Sequence, residues 1–279
     1  MKGGGYKYSL EHLTALSLPP AELVQMAARI GYDAVSLRFI GMRLPGEPDY
    51  DPSHQPKLKR DLKNALDETG LFINDIEVAR ICSEIDPAEY EPEIAVAAEF
   101  GVRSLLASVW TDDRPLALER FAQLCSLAAR YKMPVALEFV TWASVRDVPS
   151  TVAFLRDAGN PPNAGILLDT LHAYRARTTP EQVAALPAGT VDFIHLCDSP
   201  AEIPEDPRDH IPVGRAGRLY PGEGVSPIRA YCAAAPYVDR IGIELPNVAR
   251  VSELGLEGHA RRCLETAKAL LENPSSQGK

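Results

Sequence analysis

Polar side chains follow the apolar residues of four consecutive predicted strands, and they are of types that bind metal ions or transfer protons. In "GILLDTLHAYR", Asp169 ends an apolar run and His172 comes three residues later. The other three strands contribute Glu138 in "VALEF", His195 and Asp198 in "DFIHLCD", and Glu244 in "IGIEL". One carboxylate after a strand is more often a helix cap or a loop residue. Four successive strands with the same feature indicate a shared site.

The elements that must position these residues alternate along the chain. Eight strand–helix units can be counted, and several strands are continuous apolar runs, as in parallel sheets buried on both faces. Such a chain forms either a closed barrel or an open doubly wound sheet. About 250 residues for eight units match the barrel, and no G-x-G-x-x-G opens the first helix, where "SLPPAEL" stands.

We therefore predict an α/β fold, a single (β/α)8 TIM barrel that spans residues 1–279. Its ends, at about 1–6 and 273–279, are expected to be loose. The proline-rich stretch 43–56 is predicted to be a long loop after the second strand, and 199–224 a second long loop. In a TIM barrel such loops lie over the active-site mouth.

A closed barrel would bring the four strand ends around one mouth. Three carboxylates buried there without a cation would repel one another and lose their hydration. One bound divalent ion removes both problems, and an imidazole with three carboxylates suits Mn²⁺, Mg²⁺, Co²⁺ or Zn²⁺. We expect Mn²⁺ first among these. Cys197, which alternates with His195 and Asp198, is expected to pack rather than to bind the ion.

Several further residues could contact a substrate, each with an alternative explanation. His172 could donate a hydrogen bond to a substrate hydroxyl, orient a carboxylate, or only pack. Arg218 precedes the tight turn "PGEG" and is either a solvated turn residue or a guanidinium aimed at substrate oxygens or phosphate. Trp110 and Trp142 follow strand ends and could stack on a sugar ring or serve only in packing.

Composition excludes several classes of protein. The formal net charge is −9, which argues against a nucleic-acid partner. No apolar stretch approaches the roughly 18 residues of a membrane span, and "MKGGGYKYS" lacks the apolar region of a signal peptide. The five cysteines are odd in number, widely spaced and without C-x-x-C. We expect buried thiols in a cytoplasmic protein, without a disulfide framework or zinc cluster.

The segments "LEF", "LLDTLHAY", "FIHLCD" and "IEL", with "RLYPGEG" between the last two, give the chain a resemblance to a known superfamily. It resembles the sugar-phosphate isomerase/epimerase superfamily of xylose isomerase-like TIM barrels, which is related in fold to the endonuclease IV family. The resemblance runs over nearly the whole chain. It implies the metal ligands Glu138, Asp169, His195 and Glu244, with His172 and Arg218 at the substrate. It also allows a homo-oligomer, because dimers and tetramers are common in relatives.

The resemblance further implies a metal-dependent isomerase or epimerase that acts on a keto-sugar or related polyol through a metal-stabilised ene-diolate. Glu138 and Glu244 would remove and return the proton. Two alternatives stay open: a lyase that uses the same site, and a non-catalytic metal- or sugar-binding barrel. The endonuclease branch needs extra histidines, and the third and fourth predicted strands contain none. The chain departs from the resemblance at two places where substrate specificity would be set. Ser36 stands where many relatives carry a glutamate, and the loop 199–212 is longer and richer in proline. The resemblance therefore implies no particular sugar.

Overall fold

A computed structural model describes residues 5–43 and 47–273. Eight parallel strands form a closed barrel in which each strand pairs with the next and the eighth pairs with the first. This confirms the predicted (β/α)8 TIM barrel. The strands are β1 (Lys7–Leu10), β2 (Ala34–Leu37), β3 (Phe72–Ile81), β4 (Ser104–Val109), β5 (Val135–Glu138), β6 (Ala164–Asp169), β7 (Val191–Leu196) and β8 (Arg240–Ile243).

Ten α-helices lie in the described residues and surround or cap the barrel. They are α1 (Pro20–Ile30), α2 (Pro56–Thr69), α3 (Glu91–Glu99), α4 (Arg114–Arg130), α5 (Val148–Asp157), α6 (Thr170–Arg175), α7 (Pro180–Ala184), α8 (Ile211–Ala216), α9 (Ile228–Ala234) and α10 (Val248–Glu272). Local sequence explains several of the ends. Proline occupies the first turn of α1, and Gly31 ends it at φ 101°, a conformation that favours glycine. Asp147 and Ser150 form a capping box at α5.

The strands are almost entirely buried, as their continuous apolar runs predict. Most of the buried residues are apolar, but the barrel interior also contains several buried charged groups at the carboxyl ends of the strands. Burial of these groups requires specific partners, and those partners define the candidate site.

Two details differ from what the sequence pattern predicts. The segment 199–224, predicted to be a loop, contains the short helix α8. This helix has six residues, too few to show a helical period. The sequence "EGHARRCLETAKALLE" predicts a closing helix from about residue 257, but α10 begins at Val248 and is interrupted at Gly255, whose φ is 69° and ψ 165°. This left-handed residue breaks the helical pattern and hides the first part of the helix from periodicity.

Some predictions concern residues that the structure does not describe. The expected loose ends fall mainly on residues 1–4 and 274–279, which lie outside the described residues, as do positions 44–46 of the proline-rich loop. Along 5–43 and 47–273, no helix has both the length and the apolar character needed to cross a bilayer.

Candidate active site

Four side chains converge at the carboxyl ends of the last four strands. Glu138 and Asp169 are the final residues of β5 and β6, His195 lies near the end of β7, and Glu244 directly follows β8. One ligand atom from each lies within 4.8 Å of those of the other three. Register explains the convergence, since Asp169 pairs with His195 across β6 and β7. All four residues are buried.

The environment separates the protonation states of the two glutamates. Burial, together with the charges of Glu244 and Asp169, raises the pKa of Glu138 well above its usual value. Burial would also raise the pKa of Glu244, but Arg218 and His195 lower it well below the usual range. Two carboxylates in one site with pKa values pushed apart are typical of an acid–base pair.

Arg218 is an integral part of this charge cluster. Its guanidinium lies 2.6 Å from Asp169 Oδ2 and 2.8 Å from Glu244 Oε2, and it is 3% exposed. It also donates through Nε to the carbonyl oxygen of Gly214 at 2.9 Å. Although burial opposes the charged form, Asp169 and Glu244 raise the pKa of Arg218 well above its usual value. The guanidinium therefore forms ion pairs with two of the four clustered residues and also lines the adjoining cavity.

The turn that carries Arg218 is held by Asp198. Its carboxylate accepts hydrogen bonds from the backbone N–H groups of Ser199, Gly222, Gly224 and Ser226 at 2.9–3.0 Å. Asp198 and Leu219 also exchange backbone hydrogen bonds. Asp198, which the sequence places among the polar residues at strand ends, thus fixes the backbone of the "PGEG" turn. Cys197 is buried beside Arg218, with its sulfur 3.5 Å from the guanidinium.

A cavity of about 380 Å³ opens from the charge cluster, a size suited to a small metabolite. Glu138, Glu244, His172, Arg218, Trp110 and Trp142 all line it. Apolar side chains form much of the remaining wall: Leu13, Leu16, Met42, Val78, Leu106 and Val140. The chain's two tryptophans therefore both lie at the cavity.

His172 and Trp142 form one side of the cavity. The rings meet edge to face with centroids 4.9 Å apart. Nδ1 of His172 lies 3.3 Å from the hydroxyl of Thr141, which leaves Nε2 as the ring nitrogen for another partner. Burial lowers the pKa of His172 to about 4, so the ring is neutral near pH 7. Trp110 donates from Nε1 to the Ser108 hydroxyl at 2.8 Å.

The structure adds residues that the sequence patterns did not single out. Glu11, directly after β1, is fully buried and approaches His195. Its position after an apolar strand is the same signal that marked Asp169. Arg215 lines the cavity from α8 and is exposed. Arg38, which also lines the cavity, is buried and forms ion pairs with Glu77 and Glu47.

The donor set fits a divalent ion. It combines three carboxylates with an imidazole, ligands typical of Mn²⁺, Mg²⁺, Co²⁺ and Zn²⁺. Neither ring nitrogen of His195 has a well-aligned hydrogen-bond partner in the described residues, although the ring is fully buried. Nδ1 lies 3.6 Å from Glu244 Oε2 and 4.0 Å from Glu138 Oε1, so it is the nitrogen that faces the clustered carboxylates.

Fold and site together define a TIM barrel with a polar, metal-competent centre at the carboxyl ends of its strands. The model of one protein family, described as "Xylose isomerase-like TIM barrel", matches residues 24–267. The chain belongs to this family, which confirms the resemblance drawn from the sequence. No curated protein matches the chain.

Solved structures with the same fold include proteins of several activities. An IolI protein with a bound zinc atom has a TM-score of 0.79 and 17% identity, over 97% of this chain and 100% of that one. D-allulose 3-epimerase from Methylomonas sp., in complex with D-allulose, has a TM-score of 0.68 and 17% identity, over 95% of this chain and 97% of that one. The probable 3-DHS dehydratase AsbF from Bacillus anthracis has a TM-score of 0.70 and 18% identity, over 91% of this chain and 97% of that one. At these identities the likeness shows the fold.

The chain spans less than half of another similar structure. It covers 43% of a fusion protein of a xylose isomerase-like TIM barrel with a 4-hydroxyphenylpyruvate dioxygenase, at a TM-score of 0.77 and 18% identity. Family membership thus accounts for the barrel, while substrate and reaction have to be argued from the cavity.

Proposed function

We propose that this protein is a divalent-metal-dependent isomerase or epimerase that acts on a keto-sugar or a related polyol. One observation carries the proposal: Glu138 and Glu244 share a buried four-donor cluster with Asp169 and His195 at the base of a metabolite-sized cavity. The ligands would be Glu138, Asp169, His195 and Glu244, with Mn²⁺ the first choice and Mg²⁺, Co²⁺ or Zn²⁺ the alternatives. The zinc atom of the IolI structure supports a divalent ion.

The bound ion would supply a Lewis acid that polarises a hydroxy-ketone and stabilises its ene-diolate. Glu244, whose carboxylate is paired with Arg218, and Glu138 would be the two proton-transfer groups. One of them would remove the proton and the other would return it. Because the two carboxylates come from strands three positions apart, they can serve different faces of one carbon. Return of the proton to the opposite face gives epimerisation, and return to the neighbouring carbon gives isomerisation.

The cavity residues would hold the substrate against this pair. His172 offers its Nε2 to a substrate hydroxyl, and Arg218 lies beside both the clustered carboxylates and the cavity. Trp110 and Trp142 supply flat faces that stack on a sugar ring and exclude water. The complex of D-allulose with a structurally similar epimerase supports a small sugar-like substrate.

A lyase is the second candidate. The apolar wall of Leu13, Leu16, Val78 and Leu106 suits a ring more than an open polyol chain, and one similar structure is a probable dehydratase. The same acid–base pair could then remove a proton and protonate a departing β-hydroxyl, with loss of water.

A panel of keto-sugars and cyclic polyol ketones, incubated with the metal-loaded protein in deuterated water and followed by NMR, tests both candidates. An isomerase or epimerase incorporates deuterium and leaves the number of oxygen atoms unchanged, whereas a dehydratase gives a product lighter by one water. Metal content of the purified protein, measured by elemental analysis, should approach one ion per chain.

Glu138→Gln and Glu244→Gln should each lower kcat by about 10²–10⁴-fold, with folding checked by circular dichroism. Glu253→Gln is the matched control, because Glu253 is exposed and lies on α10. Near-normal turnover by both site variants, or a protein without any bound ion, would refute the assignment.

A further inference from the structure

Glu11 is a buried carboxylate to which the proposed reaction assigns no role. It is 0% exposed, and within the described part of the chain neither carboxylate oxygen has a well-aligned hydrogen-bond donor. A buried carboxylate without partners costs several kcal/mol. Its retention inside the barrel therefore calls for a specific neighbour of opposite polarity.

His195 is that neighbour. Oε2 of Glu11 lies 3.3 Å from Nε2 of His195, on the side of the ring away from the metal-competent cluster. Nδ1, the other ring nitrogen, faces Glu244 and Glu138. A neutral imidazole carries one proton, and whichever nitrogen holds it cannot bind a metal ion.

The backbone of β8 is built to allow this contact. Gly242 pairs with Ser9 of β1 on one side and with His195 of β7 on the other. A Cβ on Gly242 would lie 2.3 Å from Glu11 Oε1 and 2.8 Å from His195 Cδ2. The absence of a side chain at this position lets groups from β1 and β7 meet above the strand between them.

We propose that Glu11 is a positioning residue for His195: it accepts the Nε2 proton and so leaves the Nδ1 lone pair directed at the metal ion. The inference rests on the proposed metal site but not on the reaction assigned to it. A carboxylate behind a metal-bound histidine fixes the tautomer and ring orientation, and its loss typically weakens metal affinity about 10–100-fold.

The test measures zinc binding directly. Wild-type protein, Glu11→Gln and Asp75→Asn are freed of metal and titrated with Zn²⁺ in competition with a chromophoric chelator. Glutamine keeps the size of Glu11 and removes its charge. Asp75 is a second fully buried carboxylate close to Glu11 and His195, but Ser36 and Asn74 already donate to its oxygens. It is therefore the matched control for loss of an interior charge.

We expect one equivalent of zinc in all three proteins, about 10–100-fold weaker affinity in Glu11→Gln, and affinity within about threefold of wild type in Asp75→Asn. Thermal unfolding of the metal-free proteins should show that Glu11→Gln is no less stable than wild type, because it removes a buried negative charge that faces only the N–H group of a neutral imidazole. A merely structural role for Glu11 would give the opposite pattern, with lower stability and unchanged affinity.

A second readout needs no variant. Long-range ¹H–¹⁵N NMR of the zinc-loaded wild-type protein reports which nitrogen of His195 carries the proton, and we expect Nε2. A proton on Nδ1, or unchanged zinc affinity in Glu11→Gln, would overturn the proposal. So would a second equivalent of zinc in wild type that both variants lose, since that result would assign Glu11, Asp75 and His195 to a second cation site. Absence of zinc binding by wild type would refute the proposed metal site itself.

Discussion

Replacement of Arg218 by glutamine should make the stability of the protein depend strongly on a divalent ion. Arg218 is the guanidinium paired with both Asp169 and Glu244, at 2.6 and 2.8 Å, and it is 3% exposed. Its removal leaves two buried carboxylates without their cation. Breaking a buried ion pair by loss of one partner costs about 3–5 kcal/mol. For a large single domain this corresponds to a fall in Tm of roughly 6–20 °C, at 2–4 °C per kcal/mol.

The assay is thermal unfolding followed by circular dichroism, in chelator and in saturating Zn²⁺. An ion at the four-donor cluster supplies positive charge to the same carboxylates, and in Arg218→Gln it no longer competes with a guanidinium for them. We therefore expect zinc to raise the Tm of the variant by more degrees than it raises the Tm of wild type. Arg215→Gln is the matched control, because Arg215 is exposed and only three residues away. Its stability should change by less than about 0.5 kcal/mol.

An increase in Tm with zinc that is no larger in Arg218→Gln than in wild type would refute the reasoning. It would mean that the ion and the guanidinium do not act on the same two carboxylates. A Tm in chelator equal to that of wild type would refute the premise that Arg218 compensates buried charge.

Three further predictions follow from packing, burial and cavity charge. Gly214→Ala places a Cβ 2.3 Å from Cη2 of Trp142, so it should destabilise the protein by about 1–3 kcal/mol. It should also alter the tryptophan fluorescence spectrum, and an unchanged spectrum would show that the contact is absent. The five cysteines are buried, and burial raises the pKa of Cys125 to about 12; native protein should therefore react with a thiolate-directed disulfide reagent only as it unfolds, and fast reaction of folded protein would contradict this. Arg215 is exposed and lines the cavity. We expect Arg215→Gln to raise KM for an anionic substrate and to change KM little for a neutral one. An equal effect on both substrates would exclude a charge contact.

Much of the barrel could be predicted from sequence because its signals are local. Apolar runs, glycine at helix ends and proline at helix starts mark the strand–helix units without knowledge of tertiary contacts. The strands that carry Glu138, Asp169 and His195 at or near their ends are each recognisable alone, and the barrel then requires these ends to meet.

Other features depend on contacts between distant segments, which no local pattern records. The ion pairs of Arg218 with Asp169 and Glu244 depend on where the 217–224 turn lies relative to the ends of β6 and β8. Glu11 has the same signal as the other strand ends, but its partner lies two strands away and meets it only because position 242 is glycine. The helix α8 is too short for periodicity to reveal.

The turn that Asp198 organises also bears on how such a barrel could acquire new substrates. Residues 199–217 leave the barrel where Asp198 pairs with Leu219 and return where Gly217 bridges to Asn247. Because both ends of this segment are anchored to the scaffold, insertions or deletions ahead of Gly214, whose carbonyl oxygen accepts a hydrogen bond from Arg218, need not displace Arg218. This excursion contributes Gly214 and Arg215 to the cavity wall. Selectivity can thus diversify by exchange of one peripheral segment, while the chemical machinery beneath it keeps its geometry.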